Sequence, residues 1–286
     1  MENVLQVEKL CKDYGGFALR DVSFSLPKGS IMGFIGENGA GKTTTIKLIL
    51  NMIRKDSGTV SVLGMDHIKQ EKLIKQQIGV VLDESHFHEN LRPEDISSVM
   101  RHIYQDWDDD LFKAYMKRFS VSGKNTIKQM SKGMKTKLSL SVALAHRPRV
   151  LLLDEATTGL DPVVRSEILD IFLDIIQDED RSIFLSTHII SDLEKVADYV
   201  TLIQNGRLVF SESADDLKYG YGILKCGHSD YARIDAADIE GQRKGQFGHE
   251  LLVKDMDRMR RKYSGFTIDS AHIEDIMLFY VRSDAS

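Results

Sequence analysis

The sequence predicts an α/β fold: a sheet wrapped by helices, followed by a small α+β module at the C-terminal end. Three observations carry that expectation. A glycine-rich loop at residues 36–44 joins an apolar strand-like run to a helix-like run. A second apolar run, residues 150–153, ends on the adjacent acids Asp154 and Glu155. A third, residues 182–187, ends at His188. Strands that alternate with helices in this way are the sequence mark of an α/β core.

Residues 5–10 and 22–26 alternate apolar and polar side chains, as half-buried strands do. Pro27, Lys28 and Gly29 read as a turn, and residues 30–35 form the strand that enters the glycine-rich loop. Residues 43–52 place Ile46, Ile49, Leu50 and Ile53 on one helical face. Residues 58–64 and 78–82 are short strand candidates. From about residue 92 to 128 the pattern turns helical, with Leu111, Tyr115 and Phe119 at spacing four. Trp107 is followed by Asp108, Asp109 and Asp110, an N-cap with acids that complement a helix dipole. A helix after Ser131, the strand at 149–154, a helix at 163–176, the strand at 182–187 and a helix at 189–197 follow. A strand at 199–204 then turns at Asn205-Gly206. Composition changes near Tyr219, which sets expected domains of 1–218 and 219–286. The second domain reads as a strand at 223–226, a helix, a hairpin at 242–253, a basic helix at 255–263 and a last helix after Asp269.

The 286 residues carry 38 Lys and Arg against 43 Asp and Glu, a formal net charge of −5. That balance lacks the basic excess of a nucleic-acid binder, so none is expected as a partner. No apolar run approaches the ~20 residues of a membrane helix. The N-terminal residues have no apolar signal core, so a cytoplasmic location is expected. Cys11 and Cys226 stand far apart, with no metal or disulfide spacing.

Gly36, Glu37, Asn38, Gly39, Ala40, Gly41, Lys42 and Thr43 fit G-x-x-x-x-G-K-[ST], and Thr44 follows. Glycines there let backbone N–H groups converge on phosphates at a helix N-terminus. Lys42 is expected to reach the β- and γ-phosphates of a nucleotide and the Thr43 hydroxyl to bind Mg²⁺. At the end of its strand Asp154 can hold the same ion through water. Glu155 can orient or deprotonate the attacking water, because alternation sends adjacent side chains in different directions. His188 is placed to contact the γ-phosphate.

With these motifs in this order, the chain resembles the ATP-binding subunit of an ABC (ATP-binding cassette) transporter over about residues 4–218. The resemblance implies a P-loop cassette with a mixed RecA-like core, an antiparallel β-subdomain and a helical subdomain at about 84–146. It implies ATP and Mg²⁺ as cofactors, with hydrolysis coupled to transport. Tyr14 matches the aromatic that stacks on adenine, Asp161 the D-loop and His188 the switch histidine. Ser131 and Gly133 match the signature motif, which in this family touches ATP held by a partner subunit. The implied partners are therefore a second cassette, in a homodimer, and a separate transmembrane permease that holds the protein on the inner face of the membrane.

Two positions depart from the family pattern. The usual signature is Leu-Ser-Gly-Gly-Gln; here Met130, Ser131, Lys132, Gly133 and Met134 stand. This form resembles cassettes of ABC-2-type exporters, such as bacitracin-resistance, acetoin-operon and phenol-soluble-modulin transporters. Asp83 stands where most cassettes place glutamine. It can still bind Mg²⁺, and neighbouring Glu84 is an alternative. By resemblance the segment from Asp83 to about Trp107 forms the groove for the permease's coupling helix, with Phe87, Leu91, Met100, Tyr104 and Trp107 as candidate lining, and packing inside the helical subdomain as the alternative for about half of them. His86 and His88 lack a third metal ligand in sequence. Arg258, Arg260, Arg261 and Lys262 read as a solvated helix face or a contact for lipid headgroups. The alternatives are a soluble ATPase acting on ribosomes or DNA, and a cassette that binds ATP but hydrolyses it weakly. Single-cassette length and the absence of heptads and cysteine clusters weigh against the first; Glu155 and His188 weigh against the second.

Overall fold

The computed structural model describes residues 2–83 and 87–283. Glu84 and His86 lie outside the described residues. The chain divides into two units, Met1–Leu208 and Val209–Ser286.

In the first unit, β1 (Asn3–Asp13) pairs antiparallel with β2 (Ala18–Pro27). The predicted alternation buries Leu5, Val7, Leu10, Val22, Phe24 and Leu26. β3 (Ile31–Ile35) is buried at all five positions and runs through the glycine-rich loop into α1 (Lys42–Ile49). β4 (Ser57–Val62) and β5 (Met65–Asp66) complete a four-stranded sheet in the order β2-β1-β4-β5. A helix that the sequence reading did not anticipate, α2 (Glu71–Gln77), precedes β6 (Ile78–Val81).

The long helical stretch after residue 92 is two helices, α3 (Pro93–Ile103) and α4 (Asp109–Arg118). Asp108 caps α4, its side chain accepting from the Leu111 N–H at 2.9 Å. The face that α4 buries is Phe112, Met116 and Phe119 rather than the row through Leu111 and Tyr115. α5 (Lys132–Leu144), β7 (Val150–Asp154), α6 (Pro162–Ile175), β8 (Ser182–Thr187), α7 (Ile190–Val196) and β9 (Tyr199–Gln204) follow. The chain turns at Asn205-Gly206, both in the left-handed region, into β10 (Arg207–Ser213). The second sheet runs β10-β9-β3-β8-β7-β6, with β9, β3, β8, β7 and β6 parallel.

Phe24, Phe34 and Phe184 bring the two sheets together, with ring centroids 5.2–5.4 Å apart. Such pairs contribute roughly 0.5–1.5 kcal/mol beyond their area burial. The parallel register Ile35↔Thr187 and Asp154↔Ser186 sets the C-terminal ends of β3, β7 and β8 side by side.

The second unit begins ten residues before the boundary read from composition, which lay after residue 218. Glu212 shows why: it accepts from the Tyr221 hydroxyl at 3.0 Å and from Lys254 at 2.7 Å. Those contacts draw the end of β10 and α8 (Ala214–Gly220) into the module. β11 (Tyr221–Cys226), β12 (Gly241–Lys244), β13 (His249–Lys254), α9 (Met256–Lys262), β14 (Thr267–Ser270) and α10 (Ile273–Ser283) complete it. Its sheet is antiparallel, in the order β12-β13-β11-β14. The helix expected between the first strand and the hairpin is instead two 3-10 turns, Tyr231–Arg233 and Ala236–Asp238. β14 was not anticipated; its burial pattern leaves only Ile268 inside.

Candidate functional site

Residues 36–44 leave the C-terminal end of β3. A Cβ on Gly36 would lie 2.3 Å from the Ile203 carbonyl oxygen, so only glycine lets β3 turn there. Gly41 caps α1 at φ +113°, a conformation that disfavours any other residue. No side chain caps α1 among the described residues, which leaves first-turn N–H groups for an anion. Glu37, Asn38, Gly39 and Thr43 are exposed, Thr44 is half-buried, and Gly36, Ala40 and Gly41 are buried.

The Lys42 ammonium is only 6% exposed. It donates to the Gly36 carbonyl at 2.7 Å and the Glu37 carbonyl at 3.2 Å. It also stands 3.2 Å from Glu155 Oε1, as an ion pair without hydrogen-bond geometry. Glu155 Oε2 accepts from the Thr158 hydroxyl at 2.5 Å and lies 2.8 Å from His188 Nδ1. Burial pushes the Glu155 carboxyl up, but the Thr158 hydroxyl, the Lys42 ammonium and His188 outweigh it and hold the group below the usual carboxylate range. Glu155 is therefore an anion at neutral pH. Its backbone is left-handed, φ +51°, and non-glycine residues of this kind concentrate at functional sites. Asp154, next to it and 2% exposed, accepts from the Ser186 hydroxyl. The two acids face different neighbours, because β7 ends at Asp154 and the left-handed backbone of Glu155 turns its side chain away from the strand. Thr158 and Ser186 were not singled out in the sequence, although each sits two or three residues from a residue that was.

A second cluster forms around the N-termini of α5 and α6. Ser131 caps α5, its hydroxyl accepting from the Met134 N–H at 3.3 Å. A Cβ on Gly133 would lie 3.1 Å from Val164 Cγ1, so this position must stay small for α5 to approach α6. Asp161 caps α6, accepting from the Val163 and Val164 N–H groups at 3.1 Å each. Asp83 pairs with Lys132: its Oδ1 lies 3.1 Å from Lys132 Nζ.

Tyr14 is exposed on a turn whose geometry Asp56 sets. Asp56 accepts from Lys12 at 2.9 Å and from the Asp13 N–H at 2.7 Å. Lys12 in turn lies 5.5 Å from the centre of the Tyr14 ring. The candidate groove residues Phe87, Leu91, Met100, Tyr104 and Trp107 are all half-buried. Tyr104 stacks on His146 at 3.8 Å, and Trp107 packs on Phe112 and donates to Asp109 at 3.0 Å. The apolar side chains that α3 leaves exposed are Val99 and Ile103. His88 Nδ1 accepts from the Asn90 N–H at 3.3 Å. The basic run of the module is held largely within it: Arg258 and Lys262 pair with Asp238, and Arg260 donates to the Ile268 carbonyl. Among the described residues, no group of three or more His, Cys, Asp or Glu side chains could hold a metal. Among the described residues, no helix is long and apolar enough to cross a membrane.

Comparison with known proteins gives the family. The family described as ABC transporter matches residues 19–158. The ABC transporter ATP-binding protein YtrB of Bacillus subtilis is 32% identical over 207 residues, 72% of this chain and 70% of that one. The bacitracin transport ATP-binding protein BcrA of Bacillus licheniformis is 31% identical over 221 residues, covering 76% and 72%. A solved structure described as the ATP-binding subunit of an ABC transporter superposes with a TM-score of 0.67 at 26% identity, covering 75% of this chain and 92% of that one. The chain belongs to the ATP-binding subunits of ABC transporters, ATPases that work with a transmembrane permease.

Proposed function

We propose that this chain binds Mg²⁺ and ATP at the end of β3 and β7, and hydrolyses ATP when a second copy closes its α5 N-terminus over the nucleotide. The cycle drives an ABC-2-type exporter permease from the inner face of the membrane. The observation that carries this reading is Glu155, held as an anion between Lys42, Thr158 and His188 on a left-handed backbone.

The oxygen donors fit a hard dication: the exposed Thr43 hydroxyl and the buried Asp154 carboxylate, steadied by Ser186. Held by Thr43 and Asp154, the ion would supply positive charge that offsets the charge of the phosphates. Lys42 exchanges the Gly36 and Glu37 carbonyls and Glu155 for phosphate oxygens. That exchange frees Glu155 to take the proton of the attacking water, while His188 steadies the γ-phosphate. Gly36, Asn38, Gly39, Ala40, Gly41 and Thr44 supply backbone and hydroxyl donors, and Tyr14 stacks on the base. Ser131 and Gly133 donate to the partner's nucleotide, and Asp161 fixes the chain between the two sites. Positioning and charge stabilisation carry most of phosphoryl transfer, so these fixed donors are the catalyst.

The exporter assignment rests on the signature residues Lys132 and Met134 and on similarity to a bacitracin transport protein. The test is Glu155→Gln. Turnover is expected to collapse while ATP binding persists. A variant that hydrolyses at the parent rate would remove Glu155 as the base.

A further inference from the structure

Two of the residues that depart from the family pattern, Asp83 and Lys132, meet in space. They lie 49 positions apart in sequence, and Lys132 Nζ donates to Asp83 Oδ1 at 3.1 Å. Lys132 is the first residue of α5, directly after Ser131. A cation there faces the positive end of the helix dipole, and α5 has no acid in its first turn to offset it. Asp83 supplies that missing negative charge. The lysine stem also lies against the turn before Asp161: a Cβ on Gly159 would stand 3.3 Å from Nζ and 3.6 Å from Cδ. One side chain thus touches the acid after β6, the signature helix and the approach to Asp161. The pair is open to competition, with 47% and 49% of the two side chains exposed.

We propose that Lys132 and Asp83 are positioning residues that relay occupancy between the two ATP sites of the dimer; this rests on the dimer reading given above. In the free chain Asp83 holds Lys132 within its own subunit. The partner's ATP brings phosphate oxygens to the α5 N-terminus, and these compete with the carboxylate for the ammonium. Lys132 changes partner, Asp83 is released, and the turn at Gly159 loses the stem that lay on it. No covalent bond changes. The paired substitutions explain each other: a lysine at the signature calls for an acid at position 83, and an acid at 83 calls for a cation beside it.

The test uses the full chain with Asp83→Gln, with Lys132→Gly, and with both, which restores the residues usual in the family at the two positions. Steady-state hydrolysis gives the half-saturating ATP concentration, kcat and Hill coefficient, and thermal unfolding is read in parallel. Each single variant is expected to raise half-saturating ATP roughly two- to fivefold and lower the Hill coefficient, the range of an exposed ion pair. The double variant is expected to lose no more than either single variant, because all three remove the same pair and the two effects are coupled rather than additive. Singles that match the parent, or a double that shows the product of the two losses, would overturn the relay. So would losses confined to the melting temperature. Glu155→Gln with ATP separates the two levels of the claim: an ATP-dependent dimer alongside additive pair effects rejects only the relay, whereas no dimer rejects the reading beneath it.

Discussion

The two ends of the cassette proposed to meet phosphate are built in opposite ways. At the β3–β7 end, Lys42, Asp154 and Glu155 are charged yet no more than 9% exposed. Their partners are internal: the Gly36 and Glu37 carbonyls, Ser186, Thr158 and His188. At the α5 end, Ser131, Lys132 and Asp161 are exposed, and Ser131 and Asp161 cap helices. Buried charge is costly unless paired, so the first end is a pre-paid constellation whose internal pairs stand where substrate and water will be. The second end keeps its donors in water, which suits the proposed completion of a site on another molecule.

The largest way to break this contrast is at the buried end. Glu155→Gln should lower kcat for ATP hydrolysis by roughly 10²–10⁴, the range of a general base, measured as phosphate release at saturating ATP. A loss under about tenfold would move the chemistry away from Glu155. Tyr14→Ala should raise KM for ATP roughly five- to tenfold with kcat nearly intact, as lost base stacking does. Asp56→Ala should act in the same direction, more weakly, by loosening Lys12 and the Asp13 backbone. An effect on kcat alone would contradict a base-binding role for that turn.

Smaller effects sharpen the exposed end. Asp161→Ala removes two hydrogen bonds at the α6 N-terminus and should cost about 1 kcal/mol of stability by denaturant unfolding. Unchanged stability would mean that its hydrogen bonds to α6 contribute nothing net. The smallest effect concerns His146, just beyond the end of α5. Burial holds its imidazole below the usual histidine value, against the opposing pull of the Ile78 and Val142 carbonyls. The unfolded chain therefore binds this proton more readily. Its contribution is fully present above about pH 6.5 and is lost as pH falls through that value towards the lower folded one. The melting temperature should drop between about pH 7.5 and about pH 5.5, and drop less in His146→Gln. An identical pH profile in the variant would place the titration elsewhere.

What was legible in the sequence was local. The P-loop, the paired acids and the strand-end histidine are contiguous motifs whose geometry follows from a strand ending in a turn. Ser131 likewise opens a helix that the sequence announces, whereas the capping of α6 by Asp161 came only with the fold. Three things depended on distant partners. Asp83 reads alone as a metal ligand, and only the fold shows Lys132 beside it. Tyr104 and Trp107 read as groove lining or as packing inside the helical subdomain, and the fold sets them against His146 and Phe112. The start of the second unit is fixed by Glu212 meeting Lys254, 42 residues on, which a change in composition does not register. β14 has a single buried side chain, Ile268, too little for an apolar pattern to announce a strand.

The central claim is that the exposed α5 end completes the site of a second copy. Sedimentation velocity on Glu155→Gln, with and without ATP and Mg²⁺, tests it most directly. The account predicts a monomer that becomes a dimer only with nucleotide, and a return to monomer when Ser131→Arg is added to the same chain. A protein that binds ATP and stays monomeric, or a dimer indifferent to Ser131→Arg, would contradict it.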